Sequence, residues 1–229
     1  MAAYAHPLDC PAWFALNGPH AALAQGAALA RRYDEAVSPF AAARDGGAEA
    51  LAALCALTHV GDEMALLQRA PPAPPEGVAQ SMSAPGVQMV WARLPGGDDI
   101  ACEPLGEADA PEMQALAELT RPGPFRAKTH TMGRFIGVRE GGKLIAMAGE
   151  RMKLDGFVEM SAVCTHPDLR GRGLAGALMR VIGARIAAEG DTPFLHAYAA
   201  NESAIALYRK LGFEHRCDVT LAIWTRAPA

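Results

Sequence analysis

Cysteine is scarce and unpatterned in these 229 residues. Cys10, Cys55, Cys102, Cys164 and Cys217 are an odd number, lie far apart, and form no C-x-x-C or Cys/His ligand spacing. That argues against a disulfide framework and against a metal site, and the thiols read as reduced cysteines of a cytoplasmic protein. Blocks of like charge are missing too. The formal net charge is only −4, so neither nucleic acid nor an anionic membrane is expected as a partner. No apolar run is long enough to span a bilayer, and the N-terminus lacks a basic segment and carries Asp9; no secretory signal is expected. The seven histidines cluster nowhere, and His166, next to Pro167, reads as a loop residue.

Half of the chain is apolar, enough for a sizeable core. Arg outnumbers Lys, and Ala and Gly abound. The most informative stretch runs from Val163 to Gly176: a β-branched run ends at Thr165-His166-Pro167, crosses an Arg/Gly turn, and enters an amphipathic helix beginning near Leu174. Gly171, Gly173 and Gly176 leave main-chain N–H groups open where a helix N-terminus already gathers unpaired donors and positive potential. Arg170 and Arg172 add full charges. Such a cradle takes a phosphate or pyrophosphate.

No Lys-Ser or Lys-Thr pair follows these glycines, so a nucleotide-triphosphate P-loop does not fit. Gly171-x-Gly173-x-x-Gly176 does spell the dinucleotide fingerprint, but it follows an antiparallel meander instead of opening alternating β and α. Arg170-x-x-Gly173-x-Ala175 matches R-x-x-G-x-[GA], and Asn201–Phe213 reads N-x-x-A-x-x-L-Y-x-x-x-G-F. In this order, with a helix and the strand Pro193–Ala199 between them, the two strings resemble the GNAT superfamily of N-acetyltransferases. The resemblance covers about Ile100–Trp224 and within that superfamily is greatest to the glycine N-acyltransferase-like branch.

The resemblance implies an α/β (α+β) fold, a mixed central sheet flanked by helices, and transfer of an acetyl or other short acyl group from acyl-CoA to a primary amine by direct attack. No metal is needed. It implies that Val163, Cys164 and Thr165 hold the pantetheine arm, that Arg170, Gly171, Arg172, Gly173, Leu174, Ala175 and Gly176 hold the pyrophosphate, and that Asn201 and Ser203 bond the cofactor. Tyr208 becomes the general acid and Glu159 the general base. Locally, Asn201 also reads as a helix N-cap, Tyr208 as a core aromatic, and Glu159 as an exposed strand residue. Strict alternation puts Val158, Met160, Ala162 and Cys164 on one buried face of Phe157–Thr165, with Glu159 opposite.

The expected elements are helices at Ala21–Arg32 and Ala48–Leu57, strands at Glu63–Gln68 and Val87–Leu94, a loop at Pro71–Gly77, and a boundary at Pro95-Gly96-Gly97. Residues 1–97 then form an Ala-rich N-terminal region, a degenerate GNAT-like half or a helical cap, and 98–229 the acetyltransferase domain. In the latter, strands are expected at Ile100–Leu105, Phe135–Arg139, Leu144–Glu150 and Phe157–Thr165, helices from Asp109 to Leu119, Leu174–Ala188 and Ser203–Lys210, and a stranded pair within Phe213–Trp224. The connection Arg121–His130 carries three fixed cations and Phe125. It suits an acceptor bearing a carboxylate, with Arg126 as a clamp, and points to a small amino-acid-like metabolite as partner. A silent acyl-CoA-binding module and a protein N-acetyltransferase are the alternatives, and a homodimer is left open.

Overall fold

The computed structural model describes residues 4–92 and 100–226. In chain order these form α1 (Pro11–Asn17), β1 (Ala24–Gly26), β2 (Ala30–Tyr33), β3 (Ala41–Ala43), α2 (Ala48–Ala56), β4 (Glu63–Gln68), β5 (Val78–Trp91), β6 (Glu103–Leu105), α3 (Ala110–Thr120), β7 (Phe135–Glu140), β8 (Lys143–Leu154) and β9 (Phe157–Thr165), then α4 (Leu174–Ala188), β10 (Thr192–Tyr198), α5 (Glu202–Lys210) and β11 (Phe213–Arg226). Eight strands make one mixed sheet in the order β4-β11-β5-β10-β9-β8-β7-β6, and β1-β2-β3 make a small second sheet. Only β9 and β10 run parallel in the large sheet.

On one face α4 and α5 cover Met89, Trp91, Val158, Met160, Leu195 and Phe213. On the other, α1 packs with Met152, Leu154 and Phe194, and α3 with Phe135, Met147, Ala162 and Cys164. The seat of α4 depends on Gly183, since a Cβ there would stand 1.7 Å from Cζ3 of Trp91. That indole stacks on Phe213 at 5.6 Å between centroids and donates from Nε1 to the Leu211 carbonyl.

Several expectations change. Ala21–Arg32 is not a helix: a short 3-10 turn at Ala21–Leu23 leads into β1 and β2. The high helix propensity of alanine yields here to strand pairing, with Gly26 at φ +99° ending the first strand. The expected pair within Phe213–Trp224 is a single long strand, β11, which carries bulges at His215/Cys217 and Ile223/Trp224. Strand β5 begins earlier than expected, at Val78; the end expected at Leu94 and the boundary at Pro95-Gly96-Gly97 lie outside the described residues. The sheet does not divide there. Strand β5, N-terminal to that point, lies between β10 and β11, so the N-terminal region is not a separate cap but supplies two strands of the main sheet.

Candidate active site

Strand β9 does not alternate strictly. Ala162 takes φ +52°, and the β8–β9 register shifts between Met147 and Gly149. This bulge reverses the faces: Val158 and Met160 pack under α4 together with Val163, whereas Ala162 and Cys164 turn to the α3 side. A non-glycine residue held in the left-handed region stores strain, which is commonly found at functional sites.

Strands β9 and β10 pair at only three positions, Thr192↔Phe157, Pro193↔Val158 and Phe194↔Glu159. Beyond these they diverge, and a cleft of about 730 Å³ opens between Val163–Thr165 on one strand and His196–Tyr198 on the other. The divergence leaves edge N–H and C=O groups available to an extended ligand arm.

The Arg/Gly turn forms one end of the same cleft. Gly171 and Gly173 stand at φ +81° and +76° with nothing near a prospective Cβ, and Gly173 is the N-cap of the fifteen-residue α4. The N–H groups of the first helical turn have no intrahelical acceptor. Arg172 pairs with Glu140 at 2.6 Å while staying half-exposed. Arg180, one turn beyond Gly176, lines the cleft with a buried Nε that has no protein partner. Positive potential, open amides and an orphaned guanidinium nitrogen are the features a phosphorylated ligand would satisfy.

All the residues expected to hold the cofactor line this one cleft, and so does Tyr208. Asn201 is at once the N-cap of α5, its Oδ1 accepting from the Ala204 N–H at 3.2 Å and from Ser203 Oγ at 3.1 Å. Tyr208 packs edge-on against Phe213, and burial raises its pKa. Burial likewise pushes the Cys164 thiol up to about 11, against a hydrogen bond from Thr120 that lowers it. Cys164 is a protonated packing residue, not a nucleophile.

Glu159 does not line the cleft. It is fully buried, with Oε2 accepting from Arg151 Nε at 2.8 Å and Oε1 from Arg151 Nη2 at 2.5 Å and His196 Nδ1 at 2.7 Å. Burial alone would raise its pKa, but the Arg151 charge and the hydrogen bonds from Arg151 and His196 bring the carboxyl down to about 2. An anion so stabilised and so enclosed is a poor proton acceptor, which overturns the expected general-base role. His196 is fixed in turn. Gln88 Nε2 donates to Leu8 O at 2.8 Å and lies 2.9 Å from His196 Nε2, while Gln88 Oε1 accepts from Arg216. The imidazole is thus held between Glu159 at Nδ1 and Gln88 at Nε2.

The carboxylate clamp expected at Arg126 also moves. Arg121, Pro122, Gly123 and Pro124 reach the cleft, but Arg126, Lys128 and His130 do not. Thr129 ties that loop down by donating from Oγ1 to the Val37 carbonyl, and His130 is buried against Glu107. Another part of the cleft is built instead by Arg151 with Phe40, Leu67, Val219 and Leu221, the four apolar ones members of one core cluster. Of these only Arg151 gives a signal in the sequence, as a charge that follows Glu150 directly after the apolar run Leu144–Gly149. Arg180 had one too, since it follows Gly176 by four residues on the same helical face.

The FR47-like protein family matches residues 135–223. A crystal structure of a GNAT-family protein from Novosphingobium aromaticivorans is 46% identical, with a TM-score of 0.91 over 97% of this chain and 100% of that one. A GCN5-related N-acetyltransferase from Kribbella flavida shares the fold at 19% identity, with a TM-score of 0.64 over 95% of each chain. No curated protein matches. No helix among the described residues is long and apolar enough to cross a membrane. With 46% identity along the whole of a GNAT-family protein, this chain belongs to the GNAT acetyltransferase family.

Proposed function

We propose that the protein is an N-acyltransferase that moves an acetyl or similarly short acyl group from acyl-CoA to the amine of a small, amino-acid-like metabolite. The observation that carries this reading is the continuity of one cleft from the Gly171–Gly176 turn, through the gap between β9 and β10, to Tyr208. Acyl-CoA supplies an activated thioester. The α4 amides with Arg170 and Arg180 would bind its phosphates, and the Val163–Thr165 edge would hydrogen-bond its pantetheine arm and polarise the carbonyl oxygen. Tyr208, kept protonated by burial, would give its proton to the departing thiolate.

Five arginines and no Asp or Glu line the cleft among the described residues. No carboxylate is therefore at hand to take the acceptor's proton. The acceptor's proton would instead pass to water in the open cleft. The test pairs calorimetric titration with acetyl-CoA and a thiol-release assay over a panel of amines. Binding together with amine-dependent thiol release supports the transferase, whereas binding with no release from any amine would leave a silent acyl-CoA module.

A further inference from the structure

We infer that the acceptor is a free α-amino acid with an apolar side chain, its carboxylate seated on Arg151 and its side chain on Phe40, Leu67, Val219 and Leu221. This rests on the N-acyltransferase reading and names its substrate class.

The Arg151 side chain is more than nine-tenths buried, and its guanidinium lies 4.7 Å over the Phe40 ring. Two of its three nitrogens are spent on Glu159. The third, Nη1, lies beside Gly123, where a Cβ would stand 4.0 Å from it, and both residues line the cleft. Glu159 thus fixes the guanidinium plane and leaves one charged donor presented to a ligand. Around that donor the walls are apolar. Phe40, Leu67, Val219 and Leu221 are all buried residues of the core that reach this end of the cleft, a lining that favours an apolar group of similar size.

The charge of the lining adds to this argument. Because the cleft is lined by Arg121, Arg151, Arg170, Arg172 and Arg180 and by no acid among the described residues, a bare ammonium such as a polyamine or a lysine side chain meets no counter-ion. A free amino acid brings its own carboxylate. Its zwitterion carries no net charge into the positive cleft, and the carboxylate meets the free Nη1 donor.

The test compares leucine and phenylalanine with leucinamide, phenylalaninamide and phenethylamine as acceptors from acetyl-CoA, with phenethylamine and succinyl-CoA as a further arm. Free acids are expected to exceed their amides in kcat/KM by roughly 10- to 100-fold, the scale of one charge-assisted hydrogen bond. Glycine should fall below leucine. Equal or faster reaction of the amides would overturn the inference, and so would a preference for succinyl-CoA with phenethylamine, which would assign the Arg151 carboxylate to the acyl group. Since Arg151→Gln alone strands the buried Glu159, the variant is Arg151→Gln with Glu159→Gln. It should keep its acetyl-CoA affinity by calorimetry and lose the acid-over-amide preference; retention of that preference refutes the clamp. Acetyl-CoA binding without transfer to any free amino acid overturns this inference alone, and no acetyl-CoA binding overturns the transferase reading with it.

Discussion

Glu159→Gln changes almost nothing in shape and removes one charge from the centre of the molecule. The wild-type carboxylate receives three hydrogen bonds, two from Arg151 and one from His196, with no exposure to solvent. In the variant the Arg151 cation stays buried without its counter-ion, and the amide can accept at only one atom. Removing one partner of a buried pair costs about 3–5 kcal/mol. In a domain of this size that lowers Tm by roughly 6–20 °C. Urea denaturation, followed by far-ultraviolet circular dichroism, would read the loss as a lower midpoint at unchanged slope. Arg151→Gln in the same chain should restore a large part, because no unpaired charge then remains. The pH dependence has a definite sign. The carboxyl titrates at about 2 when folded, against 4.5 for its ordinary value, so its stabilisation is complete above 4.5 and fades as the pH falls toward 2. A Glu159→Gln protein within 1 kcal/mol of wild type at pH 7 would refute the account of Glu159 as a buried structural anion.

Tyr208→Phe keeps the ring against Phe213 and removes the proton donor; kcat should fall about ten- to ten-thousand-fold with acetyl-CoA affinity intact, and full activity in the folded variant would reassign the general acid. Gly173→Asp forces a side chain onto a backbone at φ +76° and puts an anion at the α4 N-terminus, so calorimetry should detect no acetyl-CoA binding by a protein that still melts cooperatively. Gly183→Ala collides with Trp91 and should cost about 1–3 kcal/mol in urea denaturation, with the indole fluorescence shifted as the ring is displaced.

The Arg/Gly end of the cleft is legible in the sequence because its residues are local. A glycine turn, flanking arginines and a helix start are contiguous, and Asn201 caps the helix α5 that carries Tyr208. Helix α4 and strands β4 and β9 matched their expected limits for the same reason: caps, turns and periodicity bound them. The Arg151 end is not legible there. Phe40, Leu67, Arg151, His196 and Leu221 meet only through the sheet, and no local pattern ties a phenylalanine after Pro39 to an arginine on β8. Glu159 was misjudged because alternation predicts which face a residue takes but not which partners wait there. The bulge at Ala162 went unseen because alanine carries no mark of a positive φ.

The position of β5 sets the order in which this protein can assemble as it leaves the ribosome. Its Trp91 donates to Leu211 across 120 residues, and Ser81 meets Ile223 across 142. Until β10 and β11 have been synthesised, β5 has neither neighbour, and fourteen residues of strand wait with both edges open. The cleft, walled by Leu67 before the strand and by Val219 and Leu221 after it, closes last. Contacts so distant in sequence make folding slow and expose strand edges to other chains in the interval. Expression at lower temperature or with chaperones should therefore raise the soluble yield by protecting this one waiting strand, with no gain in the stability of the finished fold.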